Sequence, residues 1–174
     1  SPDGPFYCDA VTINPWMGTD TLDPFIDVCA ETGGGVFVLV RTTNPGSRFL
    51  QHHGDPRAAT RVADSLAEKG RALTGSCGMS SVGAVVGAMT GSEAAFLRER
   101  MPAAWFLVPG IGAQGGATKD AVAGIRDDRL GCLVNSSRGV LYPNGVPQDA
   151  FDEEPIPWIM ESAKNHAERF QFDV

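Results

Sequence analysis

The chain has 174 residues, 43% hydrophobic and 20% charged, which suffices for one buried core and excludes wholesale disorder. A formal net charge of −7 argues against nucleic acid as a general partner, because polyanions bind basic faces. It leaves room for a small phosphorylated ligand, since one or two arginines and a few backbone amides can hold one. No run approaches the ~18 apolar residues of a membrane span, so a cytoplasmic chain with no secretory leader and no membrane partner is expected. Cys8, Cys29, Cys77 and Cys132 lack CxxC spacing. They are expected to be small buried hydrophobes in a reducing compartment rather than a disulfide framework or a zinc site.

In chain order, Ser1-Pro2-Asp3-Gly4-Pro5 reads as a loop, with no initiator methionine and a strand almost at once. The expectation is that the chain begins inside something larger. Five valine-rich runs then alternate with amphipathic stretches. The runs are Asp9-Ala-Val-Thr-Ile13, Val36-Phe-Val-Leu-Val40, Val82-Gly-Ala-Val-Val86, Trp105-Phe-Leu-Val108 and Gly131-Cys-Leu-Val134. Bounded by Gly, Pro or Asn, they predict parallel strands buried on both faces. Helices are expected over 20–31, capped by Thr19 or Asp20 and closed at Gly33, and over 57–69, ending at Gly70. Further helices are expected over 92–99, 118–124 and 157–170.

Strands alternating with helices imply an α/β fold with a parallel sheet, either open and doubly wound or closed as a barrel. The loops favour the barrel. Asn14-Pro-Trp-Met-Gly18, Thr42-Thr-Asn-Pro-Gly-Ser47, Pro109-Gly-Ile-Gly-Ala-Gln-Gly-Gly116 and Asn135-Ser-Ser-Arg-Gly139 all follow strands. Strand C-termini are where barrel active sites are built. A (β/α)8 TIM barrel needs about 250 residues and eight units, so residues 1–174 are expected to form one domain, a partial barrel with about three units missing.

The strongest chemical signal is Pro109 to Gly116, followed on the next strand by Leu133-Val-Asn-Ser-Ser-Arg-Gly139. Four glycines let the backbone approach a ligand and turn successive N–H groups toward an anion. The last two strands of a barrel form a recurrent phosphate site, where Arg138 could supply a two-pronged contact. A glycine-rich loop alone is equally a plain mobile loop with a surface arginine. The conjunction of Gln114 in the loop with Arg138 after the next strand is what favours a phosphate ligand.

These motifs together resemble orotidine 5'-monophosphate decarboxylase, in its bacterial long-type subfamily. Pro109 to Gly116 looks like that family's phosphate-gripping loop. Asp9 to Pro15 and Phe37 to Ser47 look like its fourth and fifth strands, Ser81 to Gly87 like its sixth, and Leu133 to Gly139 like its eighth. The resemblance implies that Gln114 contacts both the phosphate and the pyrimidine side of the ligand. It implies that Arg138 binds the phosphate together with backbone amides near Gly115 and Gly139. Thr43 stands where the family usually has a serine that hydrogen-bonds the pyrimidine amide edge and the glutamine. Pro109, Leu39 and Ile111 would help form an apolar wall beside the departing carboxylate, and each is equally well explained as core.

The family's chemistry rests on alternating lysines and aspartates, including an Asp-x-Lys-x-x-Asp motif on the third strand. No such motif occurs here. Lys69, Lys119 and Lys164 are the only lysines, each in a helix or loop context that predicts a solvated surface. No catalytic residue is therefore assigned, and the isolated chain is expected not to decarboxylate. The resemblance implies a nucleotide monophosphate ligand, no metal, no organic cofactor, and a homodimer.

Weaker features carry less. His52-His53 with Asp55 lacks a third metal ligand nearby, and Cys77 lacks a paired base. Asp152-Glu-Glu154 reads as a solvated helix approach, while Trp158 and Phe170 read as covering the barrel exterior. Two rivals to the decarboxylase reading stay open: a non-catalytic half-barrel that binds a nucleotide phosphate or serves as an interaction module, and another phosphate-binding barrel enzyme.

Overall fold

A computed structural model of the chain describes residues 4, 7–88, 91–111, 118–142, 145–153 and 155–168. Five strands form one sheet: β1 (Ala10–Ile13), β2 (Gly35–Arg41), β3 (Ser80–Val86), β4 (Ala104–Val108) and β5 (Cys132–Val134). Every expected strand falls on one of them. All neighbours pair in parallel and in chain order, with Val36 opposite Val11 on one side and Val82 on the other. A doubly wound sheet reverses its order at a switch point. This one advances in a single direction, as successive units of a barrel do.

The helices are α1 (Asp23–Thr32), α2 (Ser47–Gln51), α3 (Ala58–Lys69), α4 (Gly91–Arg100), α5 (Thr118–Ala121), α6 (Ser137–Leu141), α7 (Gln148–Glu153) and α8 (Pro155–Glu168). The expected cap at Thr19 or Asp20 instead opens a 3-10 turn, Thr19–Leu22, in which the Thr21 hydroxyl donates to the Gly18 carbonyl. Pro24 then fits the first turn of α1, where its missing N–H costs nothing. α1 closes at Gly33, as expected, with its N–H on the Cys29 carbonyl. α5 is shorter than the 118–124 expected, and α2, α6 and α7 were not foreseen.

Alternation along the strands decides where the core lies. Val36, Val38 and Val40 of β2, Val82, Ala84 and Val86 of β3, and Phe106 and Val108 of β4 are buried on the helix-facing side. There they meet Leu22 and Ile26, the Ala59, Ala63 and Leu66 face of α3, and Leu97 of α4. The opposite side is different. Phe37, Leu39, Trp105 and Leu107 are only half-buried, while Val11 and Leu133 are 43% and 45% exposed. The expectation of strands buried on both faces holds for β3, where Gly83 and Val85 are buried as well, and is corrected for the other strands. Among the described residues no second layer covers that side, which in a closed barrel is filled by side chains from strands across the axis.

The cysteines need a similar correction. Cys29 is buried and Cys132 half-buried, but Cys8 and Cys77 are exposed, the first before the edge strand β1 and the second in the turn closed by Gly78 N–H on the Gly75 carbonyl. Lys119 and Lys164 are exposed, as expected, whereas Lys69 is half-buried and paired with Asp23 of α1.

At the strand N-terminal end, Arg98 of α4 binds the sheet to its connections. Its guanidinium donates to the carbonyls of Gly124, Met101, Ala104 and Gly131 at 2.7–2.9 Å, and lies 3.8 Å over the ring of the fully buried Phe106. Phe106→Leu keeps most of the volume but removes the ring beneath the cation. It should cost about 1–3 kcal/mol in urea denaturation. A change below a few tenths of a kcal/mol would show that the stacking contributes nothing.

Candidate functional site

The C-terminal ends of β2 to β5 are stitched together by backbone bonds beyond the strands themselves. Gly87 N–H donates to the Arg41 carbonyl at 2.8 Å, Ala88 N–H to the Pro109 carbonyl at 2.9 Å, and Asn135 N–H to the Val108 carbonyl at 3.2 Å. The loops that carry Thr43, Pro109 and Arg138 therefore rise from one continuous rim.

The first loop is held from below by a residue that sequence reading passed over. Arg41 ends β2 with its side chain 2% exposed. Its Nε donates to Glu93 Oε1 at 2.8 Å, and its Nη1 to the Thr42 carbonyl, Ser47 Oγ and Gln51 Oε1 at 2.8–3.0 Å. Gln51 also accepts from Thr42 N–H and donates to Thr42 Oγ1. A guanidinium drawn out of water needs this many acceptors, and they belong to the 42–51 loop, α2 and α4. The available signal was an arginine ending an apolar strand, with Gln51 and Glu93 downstream.

Thr43 is half-buried at the top of this loop. A Cβ at Gly87 would lie 2.6 Å from Thr43 Cγ2, so the threonine methyl occupies space that only glycine leaves open. Across the rim, a cleft of about 130 Å³ is lined by Pro109, Gly110, Ile111, Ser136, Arg138 and Gly139. Pro109 and Gly139 are half-buried, Ile111 is buried, and Arg138 is exposed. Leu39 is half-buried on the inner sheet face and does not line the cleft. Gln114 and Gly115 lie outside the described residues.

α8 supports the cleft from behind. Ser162, itself buried, donates from Oγ to the Gly139 carbonyl at 2.7 Å. His166 Nδ1 sits 2.8 Å from the Ser162 carbonyl, and a Cβ at Gly139 would lie 2.7 Å from both His166 Nε2 and Ser136 Oγ. A side chain at 139 would therefore have to displace the His166 ring and the Ser136 hydroxyl. Neither Ser162 nor His166 stands out in the sequence, because nothing local marks a helical serine as the partner of a distant loop. Asp152 and Glu153 are exposed in α7, and Trp158 is 41% exposed on α8, where it covers less than expected. His52 faces Glu93, with Nε2 3.2 Å from Oε1.

These features define a class: a run of parallel-barrel units with a small polar cleft at the strand C-terminal ends, the end where such barrels bind ligands. A model described as Orotidine 5'-phosphate decarboxylase / HUMPS family matches residues 5–150, and the chain belongs to that family. It is 39% identical over 159 residues to the orotidine 5'-phosphate decarboxylase of Clostridium novyi, covering 87% of this chain and 54% of that protein. The enzyme of Rhodopirellula baltica is 40% identical over 140 residues, 79% of this chain and 46% of its own. The structure of Leishmania donovani OMP decarboxylase superposes with a TM-score of 0.66 at 35% identity, covering 94% of this chain and 58% of that one. The fold is thus that of the family's TIM barrel, of which this chain supplies five βα units. It spans about half the length of the curated relatives it matches.

Replacing Arg41 with methionine should destabilise the chain by about 3 kcal/mol or more, because Glu93, Ser47 and Gln51 lose their shared partner. Urea denaturation measures this, and a loss under about 1 kcal/mol would place the loop's anchor elsewhere. A second expectation concerns pH. Burial chiefly, and then the nearby Arg41 charge, hold the His52 imidazole below its ordinary 6.5, against the opposing pull of Glu93. The unfolded chain then binds this proton more readily than the folded one. The His52 contribution is therefore fully present above pH 6.5 and is lost as pH falls through the lowered folded value. His52→Gln should flatten this part of the stability profile, and an unchanged slope would contradict the assignment.

Proposed function

We propose that the chain carries the phosphate- and pyrimidine-binding end of an orotidine 5'-monophosphate decarboxylase, which converts its substrate to uridine 5'-monophosphate in pyrimidine synthesis. The observation that carries this reading is the shared rim. Thr43, Pro109, Arg138 and Gly139 rise from neighbouring strand ends already tied by backbone hydrogen bonds. Arg138 and the amide of Gly139 receive the phosphate, with Gln114 and Gly115 completing its grip. Thr43 offers its hydroxyl to the pyrimidine edge, its methyl seated against Gly87. Pro109 and Ile111 give the cleft its apolar wall.

In this reading the barrel is completed by residues outside this sequence, and the Lys/Asp motif that performs proton transfer lies among them. The chain's own residues bind and orient the substrate; they do not protonate the carbanion left when carbon dioxide departs. The reading includes a cytoplasmic homodimer with no metal and no organic cofactor, in keeping with the resemblance.

Co-expression supplies the test. The chain alone should show no loss of orotidine 5'-monophosphate. With an N-terminal segment of a relative bearing Asp-x-Lys-x-x-Asp, decarboxylation should appear. Turnover by the purified chain alone would overturn the division of labour, and a complemented complex that binds nucleotide yet stays silent would favour the non-catalytic half-barrel. In the active complex, Arg138→Gln should raise KM by about tenfold or more, the worth of a charge-assisted phosphate contact. Gly87→Ala should act through Thr43, whereas an unchanged KM in both variants would remove the cleft from the site.

A further inference from the structure

On the helical side of the sheet, away from the Arg138 cleft, a cavity of about 650 Å³ opens between α2, α3 and α4. That is the size of a small-metabolite site. Arg48 and Arg57 line it, both exposed, and neither has an ion-pair or hydrogen-bond partner through its side chain among the described residues. The third arginine on its wall, Arg100, is occupied by Asp64, with Nη2 2.6 Å from Oδ2. Of the two carboxylates on the wall, Glu93 is taken up by the buried Arg41, and Asp55 alone offsets the free cations.

Two further groups face the same space. His52 Nε2 is buried and makes no hydrogen bond among the described residues, with Glu93 Oε1 3.2 Å away. A buried ring nitrogen without a partner is costly unless something fills the role. Ala59 and Thr60 line the cavity from the first turn of α3, which no side chain caps. First-turn amides of a helix have no intrahelical acceptor, so they can add donors to the two guanidinium groups. Phe96, 43% exposed, gives the wall an aromatic surface.

We propose that this cavity is a second phosphate-binding site, in which a phosphate dianion lies between Arg48 and Arg57 and meets His52. Free phosphate and the phosphomonoester of a ring-bearing metabolite share this chemistry, and Phe96 distinguishes them. The site does not depend on the decarboxylase reading, because none of its residues lines the Arg138 cleft.

The isotope-labelled chain is titrated with inorganic phosphate and with phenyl phosphate at constant ionic strength, followed by the amide signals of Ala59 and Thr60 and the imidazole signals of His52. Saturable shifts are expected with both probes. The doubly substituted Arg48→Gln/Arg57→Gln chain should bind at least about tenfold more weakly, and the exposure of both arginines keeps it folded. Arg138→Gln should leave the response intact, which separates this site from the cleft. Tighter binding of phenyl phosphate assigns a phosphomonoester, while equal affinities assign free phosphate. A shift that fails to saturate, that survives the double substitution, or that chloride reproduces would overturn the proposal.

Discussion

Everything at the strand-end rim depends on keeping one positive charge out of water. The Arg41 guanidinium is buried at the end of β2, and its desolvation is offset only because a carboxylate, a hydroxyl, a side-chain amide and a carbonyl converge on it. Those partners come from the loop, from α2 and from α4, so the charge fixes how successive βα units lie against each other. Remove it and the partners compete for water by moving apart. The Thr43 loop has its position because Arg41 sits beneath it. A second guanidinium, on Arg98, performs the corresponding service at the other end of the sheet, against backbone carbonyls and the ring of Phe106.

Fine placement on the rim comes from what glycines omit. A serine hydroxyl would sit loosely beside Gly87, whereas the Thr43 methyl fills the space and gives the side chain one favoured setting. Gly139 plays the complementary part, letting Ser136 and His166 approach where any Cβ would intrude, while Ser162 holds its carbonyl. The cleft between these points is thereby shaped from behind by α8 and from the side by the β4 loop. These contacts explain how the loops are held.

Much of the architecture was legible because its signal is local. Valine-rich runs spaced by amphipathic segments locate all five strands, and the concentration of Gly, Pro and Asn after them singles out the strand C-terminal ends. What escaped was set by long-range contact. α2 spans five residues, too few for a period to show, and is organised by Gln51 reaching back to Thr42 and Arg41. Arg41 itself looks like any charged residue closing a strand until Glu93 is brought against it. The inner sheet face reads as core in sequence, and it is half-exposed because valine and leucine report a preference for burial, not the presence of a cover. Cys8 and Cys77 misled for the same reason.

The unbroken order of the strands has a kinetic corollary. Each ladder joins a strand to the next one along the chain, so no pairing waits for a distant segment. Loop closure between neighbours costs little more for one unit than for another, and the entropic penalty grows only slowly with spacing. Folding can therefore nucleate within any adjacent pair and spread outward in either direction, much as it does along a solenoid. β2 and β3, the two longest strands, with α3 crossing between them, form the natural starting point. Growth from that seed reaches the Arg138 cleft only when the fourth and fifth strands arrive, so the Thr43 side of the rim is laid down before the side that faces it.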